Sequence, residues 1–233
     1  MFSLLQNGAE IRENYLSPSH CELLLRDLEV YKASNELPLI ERLDAGRSLR
    51  YRVIDGDRIF DSLPRVVSLY RGVLALVRQR EPRLKPLSNQ TACLNINFTP
   101  PGGEYRWHYD RNSVTAILFL NSVKGGETEM YPHYWVYLGS WKDTAVQRLC
   151  DSVLRRFIPF VQPLVVEPAP GRMILMRGDR CLHSVRRVEG EDERVSVIMS
   201  FDPPGRIFHA EGGLDSYLYS RSASPNRDPN YRA

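Results

Sequence analysis

The sequence has few cysteines and no pattern that would make a framework of them. Cys21, Cys93, Cys150 and Cys181 lie far apart with no Cys-x-x-Cys pair, which sets aside a disulfide scaffold, a zinc ribbon and a thioredoxin-type redox motif. Long apolar runs are missing as well, and the first one, Met1 to Leu5, is too short for a signal peptide or a membrane span. A reducing, cytoplasmic compartment and no membrane partner are the expectation. Charge of one sign is nowhere concentrated: 31 basic and 28 acidic residues are interspersed and leave a net charge of +3. With no basic stripe to follow phosphates, no nucleic-acid partner is expected. There is also no Gly-rich phosphate loop, and no Ser or Cys nucleophile in a recognisable setting. Histidine is scarce too, at five in 233 residues.

What is present reads as helices followed by short strands. Ser17-Pro18 opens a helix in which Leu23, Leu24, Leu28 and Tyr31 recur at helical spacing, ending near Asn35. A short strand candidate, Leu49 to Ile54, precedes a second helix, roughly Ser62 to Arg80, with Val66, Leu69, Tyr70, Val73, Leu74 and Leu76 on one broad face. His20 is most simply a surface residue. From Thr91 the texture changes to strands punctuated by Gly, Pro and Asn: Thr91 to Thr99, Tyr105 to Asp110, Ser113 to Asn121, Glu127 to Tyr131, Leu164 to Glu167, Arg172 to Arg177, Leu182 to Val188 and Arg194 to Asp202. Short antiparallel strands in this number suit a mainly β fold with flanking helices, a double-sheet jelly roll. We expect one domain over 1–219, with helical support in 1–90, a jelly-roll core in 91–202 carrying an insert at 131–167, and a polar tail in 220–233.

Two strands have one apolar and one polar face. Ala92, Leu94, Ile96 and Phe98 oppose Cys93, Asn95 and Asn97, and Val195, Val197, Met199 and Phe201 oppose Arg194, Ser196 and Ser200. Either the polar faces meet water, or the apolar faces pack on the helices while the polar faces line a barrel interior. Ile198, apolar in the middle of the Arg194 face, favours the enclosed arrangement.

The chemistry is carried by His108 and Asp110 in Tyr105-Arg106-Trp107-His108-Tyr109-Asp110, answered by His183 in Cys181-Leu182-His183-Ser184-Val185. In an extended strand, residues two apart project the same way, so His108 and Asp110 can reach a common point. Two imidazoles and a carboxylate on one side of a metal, with the other positions open, is the donor set of non-haem Fe(II) oxygenases. His-x-Asp alone is too short to be specific, and its surroundings have to carry the reading. His133 follows a turn-like Tyr131-Pro132 and His209 lies after the last strand, so neither has the strand setting of a third ligand.

Residues 92 to 202 resemble the Fe(II)/2-oxoglutarate-dependent dioxygenase superfamily, closest to its prolyl-4-hydroxylase-like branch. The approach to its first iron ligand, Tyr-x-x-Gly-x-x-Tyr-x-x-His-x-Asp, is met by Gly102, Tyr105, His108 and Asp110, with Thr99 in place of the first Tyr. Its Gly-Gly-x-Thr-x-Phe turn is met by Gly125-Gly126-Glu127-Thr128-Glu129-Met130, with Met130 in place of Phe, and its Pro-x-x-Gly lead by Pro168-Ala169-Pro170-Gly171. The resemblance implies a double-stranded β-helix, Fe(II) as cofactor on His108, Asp110 and His183, and 2-oxoglutarate and O2 as cosubstrates. It also implies an anchor for the far carboxylate of 2-oxoglutarate. Arg194, eleven residues after His183, and Ser196 resemble the family's Arg-x-Ser anchor, with Arg186 and Arg187 as competitors. A planar guanidinium beside a hydroxyl suits that carboxylate. Prolyl-hydroxylase-like members more usually place Lys there, and Asn95 or Asn97 would replace the contact that Thr99 does not make. Related halogenases lack the carboxylate ligand, so Asp110 implies hydroxylation or another oxidative C–H transformation. A metal-binding jelly roll without catalysis is the other class of reading, and it gives no reason for the separate Arg194 and Ser196 anchor.

The long stretch Tyr131 to Glu167 exceeds an ordinary hairpin connection and has the character of a lid or binding loop. It opens with Tyr131, His133, Tyr134, Trp135, Tyr137 and Trp141 and continues as a helix from about Asp143 to Phe157. One expectation is a helix packed outside the barrel with its aromatics as core contacts. The other is a cover over the iron mouth in which Tyr131, His133, Tyr134 and Trp135 grip a small-molecule substrate, amino-acid-like or a natural-product intermediate. A peptide substrate, as in prolyl hydroxylases, is the alternative.

Overall fold

Ser17 begins the first helix as the spacing predicts: its hydroxyl accepts the His20 N–H (3.3 Å), and Pro18 occupies the first turn, where a missing N–H is harmless. The helix runs Pro18–Ser34 and buries Cys21, Leu24, Leu28 and Tyr31, so the seam passes through Cys21 while Leu23 is exposed. His20 lies on the surface, its Nδ1 against Ser17 Oγ (2.6 Å). The protein is described from a computed structural model, which covers residues 8–44, 47–132, 145–157, 160 and 162–205.

The strands, in chain order, are β1 (Ala9–Arg12), β2 (Ile40–Asp44), β3 (Arg47–Ile54), β4 (Lys85–Pro86), β5 (Leu94–Thr99), β6 (Tyr105–His108), β7 (Val114–Phe119), β8 (Lys124–Gly125), β9 (Thr128–Tyr131), β10 (Leu164–Val166), β11 (Met173–Met176), β12 (Leu182–Val185), β13 (Val188–Glu189) and β14 (Arg194–Asp202). The second long helix is Pro64–Arg80, preceded by a short one at Gly56–Ser62 whose N-cap Asp55 accepts the Arg58 N–H. Two sheets form a double-stranded β-helix. The larger has the order β1-β11-β7-β14-β5-β3-β2, with β4 on the end of β14, and the smaller is β10-β9-β12-β6. No helix among the described residues is long and apolar enough to cross a membrane.

The enclosed arrangement is the one adopted. Leu94, Ile96 and Phe98 of β5 and Val195, Val197, Met199 and Phe201 of β14 share one core with Leu28, Val66, Tyr70 and Val73 of the helices. Tyr70 stacks on Phe201 with ring centroids 5.4 Å apart, an arrangement contributing roughly 0.5–1.5 kcal/mol beyond area burial. The opposite face of the same strands turns toward the smaller sheet, where Ile117, Phe119, Met130, Ile174, Met176 and Cys181 form a second cluster.

Several boundaries differ from the sequence expectation. Thr91 to Cys93 is not strand but part of a helical turn, Gln90–Cys93, because Asn89 Oδ1 caps it by accepting the Ala92 N–H (3.1 Å). Cys93 accordingly packs with the helices rather than beside Asn95 and Asn97. β1 and β2 are additional edge strands, short and without clean apolar alternation. The turn at Gly171 does require glycine: its φ is +78°, and a Cβ there would collide with the Leu16 carbonyl.

Candidate active site

Pairing of β12 with β6 puts His183 directly opposite His108, and their rings lie 4.2 Å apart between centroids. Because β6 is bulged, Tyr105 pairs with Val185, so Tyr105 and His108 face the interior although three residues apart. Asp110 lies just past the strand end, held by its own N–H donating to Gly178 O (2.8 Å). Its Oδ1 is 3.6 Å from Nε2 of both histidines, too far for a direct hydrogen bond.

Hydrogen bonds on the far side fix what each group presents. His108 Nδ1 lies 2.8 Å from Arg106 O, and His183 Nδ1 lies 2.9 Å from Cys181 O. A carbonyl can only accept, so each Nδ1 carries a proton, and Nε2 is the ring nitrogen left to face the interior. Asp110 Oδ2 is occupied by the Thr115 hydroxyl, which donates to it at 2.5 Å. Three potential ligand atoms thus converge, an arrangement that a cation satisfies. His108, Asp110 and His183 are also the one group of potential metal ligands found among the described residues. Two imidazoles and one carboxylate fit Fe(II) with open positions. Beneath them, burial and then the charge of Asp110 push the Cys181 thiol well up from its ordinary range.

A second polar centre lies on the interior face of β14. Arg194 is fully buried; its Nη1 donates to Ser196 Oγ and its Nη2 to Thr128 Oγ1, each at 3.2 Å, and its guanidinium carbon is 4.9 Å from the Phe119 ring centroid. Its Nε has no hydrogen-bond partner, and no carboxylate among the described residues pairs with it. Burial lowers its pKa to about 10, with Tyr105 acting in the opposite direction, so it remains a cation at neutral pH. A buried cation without a counter-charge is costly. It fits a site whose anion arrives as ligand. Arg186, by contrast, is half-exposed and paired with Glu129 (2.6 Å), and Arg187 is exposed.

Register places the remaining candidates. Ser196 pairs with Asn97, Ile198 with Asn95 and Arg194 with Thr99, so both asparagines share the interior face with the anchor. Thr99 Oγ1 donates to Asn97 Oδ1 (3.0 Å), and Asn95 Oδ1 is buried with no partner among the described residues. Tyr131, however, pairs with Leu182 on the face opposite Met130 and His183, and its ring lies 5.0 Å from that of Trp107. It points away from the histidines. His133, Tyr134, Trp135, Tyr137, Trp141, His209 and the 220–233 tail lie outside the described residues. The insert helix is Ala145–Phe157, with Val146, Leu149, Val153 and Phe157 exposed. Sequence reasoning missed Thr115, Asn112 and Gly178 around Asp110. It also missed Tyr51, fully buried on β3 with its ring 5.6 Å from Tyr105. The alternation of buried Leu49, Tyr51 and Val53 with Arg50 and Arg52 was the available signal.

Residues 94–201 match the family model described as the 2OG-Fe(II) oxygenase superfamily. The matched segment, which contains His108, Asp110, His183 and Arg194, is a domain of that superfamily. This oxygenase is therefore an Fe(II)- and 2-oxoglutarate-dependent enzyme. Its fold is shared by a Pseudomonas putida prolyl-4-hydroxylase at 19% identity and TM-score 0.54, covering 87% of this chain and 96% of that one. SnoK, a non-heme alpha ketoglutarate dependent carbocyclase from nogalamycin biosynthesis, aligns at 12% identity and TM-score 0.65, covering 84% of this chain and 79% of that one. HygX from Streptomyces hygroscopicus, solved with nickel and 2-oxoglutarate bound, aligns at 14% identity and TM-score 0.57, covering 87% and 85%. No curated protein sequence matches the chain.

Proposed function

We propose that His108, Asp110 and His183 hold the iron, that Arg194 and Ser196 take the far carboxylate of 2-oxoglutarate with Thr128, Asn95 and Asn97 beside it, and that the substrate is a small molecule. The observation that carries the site is the convergence of His108, Asp110 and His183 in a domain that also buries a guanidinium with no carboxylate partner among the described residues. Iron bound there, with 2-oxoglutarate and O2, supplies the oxidation of a substrate C–H bond with release of succinate and CO2. The chain's own part is placement. Backbone carbonyls hold both histidines in the Nε2-binding tautomer, Thr115 orients Asp110, and Arg194 sets the direction of the cosubstrate.

An amino-acid-like or natural-product intermediate as substrate is supported by the likeness to SnoK and to HygX, the latter also solved with hygromycin B bound. A peptide substrate is the second reading, favoured by the likeness to the prolyl hydroxylase solved with a hypoxia inducible factor peptide fragment. In either case the insert helix brings exposed apolar side chains suited to covering a substrate. Anaerobic addition of Fe(II) and then 2-oxoglutarate should develop the weak visible charge-transfer band of the chelate, and His183→Ala should abolish it. Stoichiometric iron and full turnover in that variant would refute the ligand assignment. Succinate release measured against small-molecule and prolyl-peptide panels separates the two substrate readings.

A further inference from the structure

The groups behind Asp110 form a chain with a fixed direction. Asn112, buried, donates its amide Nδ2 to Thr115 Oγ1 (2.8 Å) and to Val114 O (2.7 Å). An amide nitrogen can only donate, so Thr115 Oγ1 accepts there and turns its own proton outward. That proton goes to Asp110 Oδ2 at 2.5 Å. The opposite oxygen, Oδ1, is the one 3.6 Å from both Nε2 atoms. Gly178 closes the arrangement from the other side: a Cβ on it would lie 2.6 Å from Thr115 Oγ1 and 2.8 Å from Asp110 Cβ and Oδ2.

We infer that Thr115, directed by Asn112, is a positioning residue that restricts Asp110 to a single metal-binding oxygen. The inference rests on the ligand assignment above. A carboxylate binds a metal through one oxygen or both, and here one oxygen is already engaged as the acceptor of a charge-assisted hydrogen bond. The consequence is a count of positions. Three protein donor atoms would leave positions open on the metal for the cosubstrate and one further ligand. A second Asp110 oxygen would take one of them.

The test uses the full chain, loaded anaerobically with Fe(II) and titrated with 2-oxoglutarate, following the visible band. Thr115→Val keeps the shape of the side chain and removes the hydroxyl. It should retain one Fe(II) per chain at saturating metal yet need roughly 10- to 100-fold more 2-oxoglutarate to develop the band, the order by which losing an outer partner changes metal affinity or activity. Thr115→Ser should restore the wild-type requirement, which a purely structural role for the methyl-bearing side chain would not produce. Should Thr115→Val fail to fold, Asn112→Ala decides, because it leaves the hydroxyl in place but undirected, and the 2-oxoglutarate requirement should again rise. An unchanged requirement and band in the folded variant overturns the inference. So does loss of iron from Thr115→Val, since the hydroxyl would then anchor the ligand without controlling how many of its oxygens bind. A wild-type chain that takes up no Fe(II) overturns the ligand assignment itself, a different failure from the other two.

Discussion

Arg194 shows at the scale of one residue how function is set against stability. Its guanidinium is buried against Phe119 with two hydroxyl partners and no counter-ion among the described residues, a charge that is costly to hold without its ligand. Arg194→Met should leave the ligand-free protein at least as stable in urea denaturation, because an apolar chain replaces an uncompensated ion. The same change should weaken 2-oxoglutarate binding by about 10- to 150-fold, equivalent to losing roughly 1.5–3 kcal/mol of charge-assisted hydrogen bonding. Calorimetric titration of metal-loaded protein checks it, and an unchanged 2-oxoglutarate affinity would move the anchor away from Arg194. The sequence pointed to His108 and Asp110 because spacing along a strand reports which side chains share a face, and to His183, Arg194 and Ser196 through the family resemblance. It did not point to Thr128 as a partner of Arg194, or to Tyr51, because those contacts join strands far apart in the chain.

At the scale of elements, alternation was the informative signal wherever a strand had one face on the helices. β14 was legible to its boundaries, and the apolar faces of β5 and β14 do pack on the two long helices. Edge strands were illegible for the complementary reason. β1 is half-buried along its length and holds its place through register with β11, which no local pattern announces. The Gln90–Cys93 turn was misread because a side-chain cap at Asn89 overrides the apolar alternation that follows it. Since the Pro18–Ser34 helix supports the sheet from outside, its core residues and the metal ligands should be separable. Leu28, fully buried, should lose about 2–5 kcal/mol of stability on change to Ala. Iron stoichiometry at 10 °C should remain one per folded chain; loss of metal binding in the folded variant would show that the helix shapes the site. The insert gives the opposite expectation: Tyr134→Ala with Trp135→Ala should uncouple 2-oxoglutarate consumption from substrate oxidation while leaving cosubstrate binding nearly intact. Normal coupling on an identified substrate would make the insert scaffolding.

For the whole molecule, the two polar centres make folding and ligand binding one equilibrium. The proposed iron donors come from β6, the segment after it and β12, all on the side of the smaller sheet, whereas the proposed anchor on β14 of the larger sheet meets β9 of the smaller, so the cosubstrate is the ligand expected to tie the two sheets together. A ligand that binds only the folded state adds RT ln(1 + [L]/Kd), about 2.7 kcal/mol at a hundred times its Kd. For a chain of this size that corresponds to roughly 5–11 °C in Tm. Thermal unfolding under anaerobic conditions should therefore show two increments, one on adding Fe(II) and a second on adding 2-oxoglutarate. In Arg194→Met the first increment should persist and the second shrink. In His183→Ala both should be lost, because the keto-acid end of 2-oxoglutarate is held through the metal. If 2-oxoglutarate raised the Tm of His183→Ala as much as that of the wild type, the cosubstrate would be held by Arg194 alone, and the coupling between the two centres would have to be abandoned.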